Sequence, residues 1–211
     1  MPVRVMGGGG SRHYRRLMVF VDGSNLLIQL SKELKINNFR AERPPRSIFT
    51  LAEKLISRTT SISRYSSEFA HVRRYWFSSY AGSEEDYFSL RIFLRELDFE
   101  PVLFKKQRNK DEKGVDIALT KEMLVNAFNS NFDIAILFAG DEDYISLVNE
   151  VKRYGPIIMG AFFKNGLAPN LQFAFDYFQL ITLNILEDKE REAMVSQIRG
   201  EIGLPKDGVK A

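Results

Sequence analysis

Residues 132–144 read FDIAILFAGDEDY, and this stretch restricts the possible folds more than any other. Six apolar residues, from Ile134 to Ala139, run unbroken into Gly140, Asp141, Glu142 and Asp143. A short run rich in Ile, Leu and Phe and closed by glycine is the pattern of a strand buried on both faces. Such strands belong to parallel sheets that carry helices on both sides. Residues 144–154 then place apolar side chains at Tyr144, Ile145, Leu147, Val148 and Val151, the spacing of a helix. Two carboxylates therefore stand in a turn between a core strand and a helix. In α/β sheets that edge is where ligands bind.

The same alternation extends along the chain. Residues 17–21, LMVFV, form a first buried strand that runs into Asp22-Gly23-Ser24-Asn25, with a helix expected over 26–34. The polar stretch 37–46, with Pro44-Pro45, reads as a loop, and 48–56 as a helix. The Ser/Thr-rich residues 57–67 read as a second loop. A strand is expected over 72–80, a helix over 84–97, a short strand over 100–104 and a helix over 115–128. Gly155-Pro156 should stop the helix after the central strand, and 157–163 is again a buried strand. Repeated β-α units imply an α/β fold with a mostly parallel central sheet, helices on both faces and right-handed crossovers. Residues 1–16 are expected to be a flexible basic arm with Gly7–Gly10 as linker. Residues 17–183 would form one domain, and 184–211 a helical tail. Met194, Val195, Ile198 and Ile202 make a stripe on that tail, expected to dock on the domain or on a second copy as a homodimer.

Composition excludes several classes. The 211 residues contain no cysteine, so disulfides and thiolate metal sites are ruled out, and a reducing cytoplasmic setting is compatible. No apolar run reaches the roughly 18 residues that span a bilayer, and the N-terminus lacks a secretion-signal core, so no membrane role is expected. The net charge is +3, but the first sixteen residues carry Arg4, Arg12, Arg15 and Arg16 and no acid. The remainder sums to −1, so basicity is a property of the arm and not of a broad binding face. A P-loop enzyme is excluded because no Gly-rich loop ending in Lys-Ser/Thr follows a strand. A haloacid-dehalogenase-type phosphatase would need a second aspartate where Ser24 stands. His13 and His71, in the arm and beside an aromatic strand, make a histidine-assisted hydrolase a poor fit.

The acids are more informative together than singly. Asp22 closes the first strand, and Asp141 and Asp143 follow the central one. If those strands are neighbours, their backbones lie about 4.8 Å apart, and the carboxylates converge. Like charges that close require a compensating cation. Clustered hard oxygens suit Mg²⁺ or Mn²⁺. Asp116, in the first turn of the helix after the charged loop 105–114, starts at the same edge. Glu122 lies roughly 240° further round that helix, which makes it a supporting or solvent-facing group. Turn formation and helix capping are the plainer roles open to Asp22, Asp116 and Asp141.

Three motifs carry a family resemblance: VFVDGSN at 19–25, KGVDIAL at 113–119 and AGDEDY at 139–144. In this order they resemble the NYN (LabA/DUF88-like) branch of the PIN-like nuclease superfamily, over residues 17–183. Residues 171–180, LQFAFDYFQL, resemble the family's closing segment, with Asp176 as its aspartate. Three features depart from the pattern: Glu142 stands where a small residue is usual, Glu122 where aspartate is common, and 37–67 is long. The resemblance implies a PIN-like three-layer sandwich and a metal-dependent ribonuclease acting on single-stranded or structured RNA. Asp22, Asp116, Asp141 and Asp143 would be the catalytic and metal-holding acids, with Ser24, Asn25 and Glu122 supporting or positioning substrate. Lys105, Lys106, Arg108, Lys110 and Lys113 of the basic loop are the expected RNA contacts. The competing reading is a non-catalytic RNA-binding or regulatory module that keeps the acidic pocket.

Overall fold

The computed structural model describes residues 3–4, 13–37, 39–63, 69–106 and 113–204. The Gly7–Gly10 linker, Arg108 and Lys110 lie outside them. Among the described residues, seven strands form in chain order: β1 Val3–Arg4, β2 His13–Asp22, β3 Phe69–Tyr80, β4 Glu100–Lys105, β5 Ile134–Phe138, β6 Ile157–Phe163 and β7 Tyr177–Ile181. Seven helices accompany them: α1 Gly23–Glu33, α2 Arg46–Ser61, α3 Glu84–Glu96, α4 Lys113–Phe128, α5 Ile145–Lys152, α6 Leu171–Ala174 and α7 Asp188–Glu201. The six strands β4-β3-β2-β5-β6-β7 lie side by side in that order, all parallel. The short β1 pairs antiparallel with the start of β2. Among the described residues, no helix is long and apolar enough to cross a membrane.

Alternation along each strand sorts the side chains into two apolar layers. Leu17, Val19 and Val21 of β2, with Ile134, Ile136 and Phe138 of β5, face α1, α2 and α7. Met18 and Phe20, with Ala135 and Leu137, face α4, α5 and α6. Every residue of β5 is buried, which is why its sequence is uniformly apolar and not alternating. On α4, the i, i+4 series Val115, Leu119, Met123 and Ala127 supplies the seam against the sheet. Ser83 and Asp86 form a reciprocal capping box that starts α3. Gly155, at φ +98°, and Pro156 close the segment after α5 as expected.

The structure differs most from the sequence reading in three places. The first strand begins at His13 and not at residue 17, because the last residues of the expected arm pair with β1 and β3. At that end Arg16 grips Asp133 through its backbone amide at 2.8 Å and its guanidinium at 2.9 Å. Helix α2 runs on to Ser61 through part of the stretch read as a loop. Its late hydroxyls turn back onto the helix, Thr60 Oγ1 donating to the Ile56 carbonyl and Ser61 Oγ to the Ser57 carbonyl, each at 2.8 Å. Residues 142–144 form a single 3₁₀ turn, so α5 starts at Ile145 and not at Tyr144. The stripe on α7 lies against the domain, the first of the two positions expected of it. Val195 and Ile198 are buried in the layer that holds α2, and Lys54 of α2 pairs with Glu190.

Candidate active site

Strands β2 and β5 are neighbours, in register from Leu17 opposite Ile134 to Val21 opposite Phe138. Both therefore end at the same edge, and Asp22 is the last residue of β2. Asp141 follows β5 by three residues. Helix α4 opens at that edge after β4, with Asp116 in its first turn. Gly23 allows α1 to start against β3, since a Cβ there would come within 2.3 Å of the buried Trp76 indole. Gly140 does the same on the other strand: its Cβ would lie 2.2 Å from the Gly166 carbonyl oxygen. Its own carbonyl accepts the Ala168 amide at 2.8 Å, which holds the loop after β6 against the site.

Asp22 is only 3% exposed. Its Oδ1 accepts the Asn25 amide at 3.0 Å, capping α1, and its Oδ2 accepts the Tyr144 hydroxyl at 2.9 Å. Burial pushes this carboxyl up to about 7. The hydrogen bonds from Asn25 and Tyr144 oppose that rise, and the nearby charges of Asp116 and Asp141 add to it. Tyr144 Oη also lies 2.9 Å from Asp116 Oδ1, so one phenol bridges acids from β2 and α4. Burial and the two carboxylates push the phenol's ionisation far upward, so it stays a donor. Asp116, Asp141, Glu142 and Asp143 are exposed at the mouth of the site. Asp141 accepts the Asp143 amide at 3.3 Å and caps the 3₁₀ turn. The capping roles are thus real for Asp22 and Asp141, and leave the second oxygen of Asp22 turned toward Asp116.

The other expected positions divide. Ser24 is buried and its Oγ accepts the Ser79 amide at 3.1 Å, tying α1 to the end of β3. Asn25 acts on Asp22 through its backbone. Glu122 accepts from Asn126 Nδ2 at 2.9 Å, on α4's own surface, and bears on Tyr75 and Arg73 rather than on Asp22. Lys105 pairs with Glu84 at 3.4 Å and Lys106 with Glu42 at 3.8 Å. Lys113 opens α4 at the acidic edge. Asp176 lies at the opposite edge, where it accepts the Ile158 amide at 2.8 Å and pairs with Lys152 at 2.9 Å, locking β7 onto β6. The residue that sequence reasoning assigned to packing alone is Tyr144. Its position suits the apolar spacing of the following helix, which masks its hydroxyl.

The donor set fits a divalent cation. All the candidate ligands are hard carboxylate oxygens. The charges of two further acids, Asp116 and Asp141, bear on Asp22. The fit is one of composition rather than of a finished cage: among the described residues, no three or more His, Cys, Asp and Glu side chains close on a common point.

Comparison with known proteins bears on the same region. The family profile for the NYN domain matches residues 16–183. The fold is similar to that in the crystal structure of a protein of unknown function, VPA0982, from Vibrio parahaemolyticus RIMD 2210633. The TM-score is 0.58 at 17% sequence identity, covering 82% of this chain and 97% of that one. No curated protein matches the sequence.

Proposed function

Because the chain belongs to the NYN domain family, whose fold is that of the PIN-like nucleases, we propose that it is a divalent-metal-dependent ribonuclease. The observation that carries the proposal is the meeting of Asp22, Asp116 and Asp141 at one sheet edge, with the buried Asp22 under the influence of the other two. Asp22, Asp116, Asp141 and Asp143 would hold Mg²⁺ or Mn²⁺. Such an ion supplies an activated water and neutralises charge on the scissile phosphate. The remaining contributions are the chain's own. Asn25 and Tyr144 fix both oxygens of Asp22, so that carboxylate is oriented before substrate arrives. An exposed acid at the mouth would take the proton lost by the attacking water, and the departing 3′ oxygen would take one from solvent. Water adds to phosphorus and the P–O3′ bond breaks, leaving a 5′-phosphate and a 3′-hydroxyl. Lys113 and the basic loop before it would meet the RNA backbone of a single-stranded or structured substrate. An RNA substrate and a chain without cysteine suit work in the cytoplasm.

The second reading is a non-catalytic RNA-binding module, and the observation favouring it is that the described acids do not close on one point. One experiment separates the two. Purified protein is given a panel of single-stranded and structured RNAs with Mn²⁺ or Mg²⁺, beside Asp22→Asn, Asp141→Asn and an EDTA control. The nuclease account expects cleavage with 5′-phosphate ends, reduced at least about 100-fold in both variants and abolished by EDTA. RNA retention without cleavage by the unmodified protein would establish the binding module instead. Equal cleavage by all three proteins would mean a contaminating nuclease.

A further inference from the structure

We infer that Tyr144 is a positioning residue of this centre: its hydroxyl sets the spacing and orientation of Asp22 and Asp116 for a shared divalent cation. The inference deepens the nuclease reading and rests on its metal dependence. Tyr144 is 1% exposed, and its ring is packed in the apolar layer between the sheet and α4 and α5. A ring held in this way has one orientation, and a buried phenol must find a polar partner for its hydroxyl. Here two carboxylates, from β2 and α4, each lie 2.9 Å from the phenol oxygen, whose one proton is donated to one of them at a time. Phenylalanine would fill the same space and satisfy the same core, so packing alone does not account for the oxygen. The consequence for Asp22 is specific. With Oδ1 held by the Asn25 amide and Oδ2 by the phenol, its carboxylate plane is fixed. Asp116 is an exposed residue in the first turn of α4, and the phenol stands between it and the β2 end. Outer partners that orient a metal-holding carboxylate typically contribute about 10–100-fold in metal affinity.

The test is Mn²⁺ binding without RNA, followed by the electron paramagnetic resonance signal of free Mn²⁺, for the full chain and its Tyr144→Phe variant. The expected result is binding by the unmodified protein and an affinity lower by about tenfold or more in the variant, with cooperative melting retained. In RNA cleavage the variant should need correspondingly more Mn²⁺, and approach the normal rate at saturating ion. Equal or tighter Mn²⁺ binding by Tyr144→Phe overturns the inference while leaving the nuclease reading intact, and tighter binding would mean that the hydroxyl obstructs the ion. Absence of Mn²⁺ binding by the unmodified protein removes the metal reading itself and this inference with it. A second measurement needs no variant: the Tyr144 hydroxyl proton should shift in the NMR spectrum on Mg²⁺ addition. A resonance unmoved by saturating Mg²⁺ would also overturn the assignment.

Discussion

One oxygen of Asp22 caps a helix and the other meets a phenol and, through it, a second acid. This carboxyl is costly to keep charged in the metal-free protein. Its folded value is about 7 against an ordinary 3.8, so the folded state holds the proton more tightly than the unfolded state. The sign follows. As pH rises from about 4 to about 7 the unfolded chain gives up this proton first, and the folded state loses stability. Above pH 7 the full penalty applies, on the order of 4 kcal/mol. Asp22→Asn keeps an oxygen that can cap α1, turns an amide N–H toward the Tyr144 oxygen so that the phenol proton is left for Asp116, and removes the charge. In EDTA the variant should therefore melt higher than the unmodified protein at pH 8, with the gap shrinking toward pH 4. A variant that melts lower at pH 8, or a gap independent of pH, would contradict this account of Asp22.

At the scale of elements, the strands were readable because each carries an unbroken apolar or aromatic run, and a strand buried on both faces admits little else. That β2 and β5 are neighbours was the condition for the acids to converge, and their register meets it. What remained hidden depends on partners distant in sequence. Tyr144 finds Asp22 across 122 residues, and no local pattern records that. The Ser/Thr run after residue 56 looked like a loop by composition, yet α2 continues to Ser61, with the hydroxyls of Ser57, Thr60 and Ser61 bonded within the helix. Asp176 belongs to the segment that resembles the family's closing one, but topology sets it at the opposite edge from the other acids. Helix α7 was legible as a stripe but not as a core element. Since Ile198 is fully buried, Ile198→Ala should destabilise the fold by about 2–4 kcal/mol in urea unfolding. A loss below about 0.5 kcal/mol, the level of ordinary surface changes, would mean that α7 is not part of the core.

For the molecule as a whole, six parallel strands deliver chain segments far apart in sequence to one rim, and two apolar layers hold that rim in place. The acids there are partly capped, partly bridged and otherwise exposed, an arrangement that a cation would complete by drawing them inward. The most direct measurement of that claim is anomalous diffraction from crystals grown with Mn²⁺. The account expects one strong peak at the β2–β5 edge, about 2.2 Å from an oxygen of Asp22 and shared with Asp116 or Asp141. A map with no peak at that edge, or with Mn²⁺ bound elsewhere and Asp22 untouched, would contradict it.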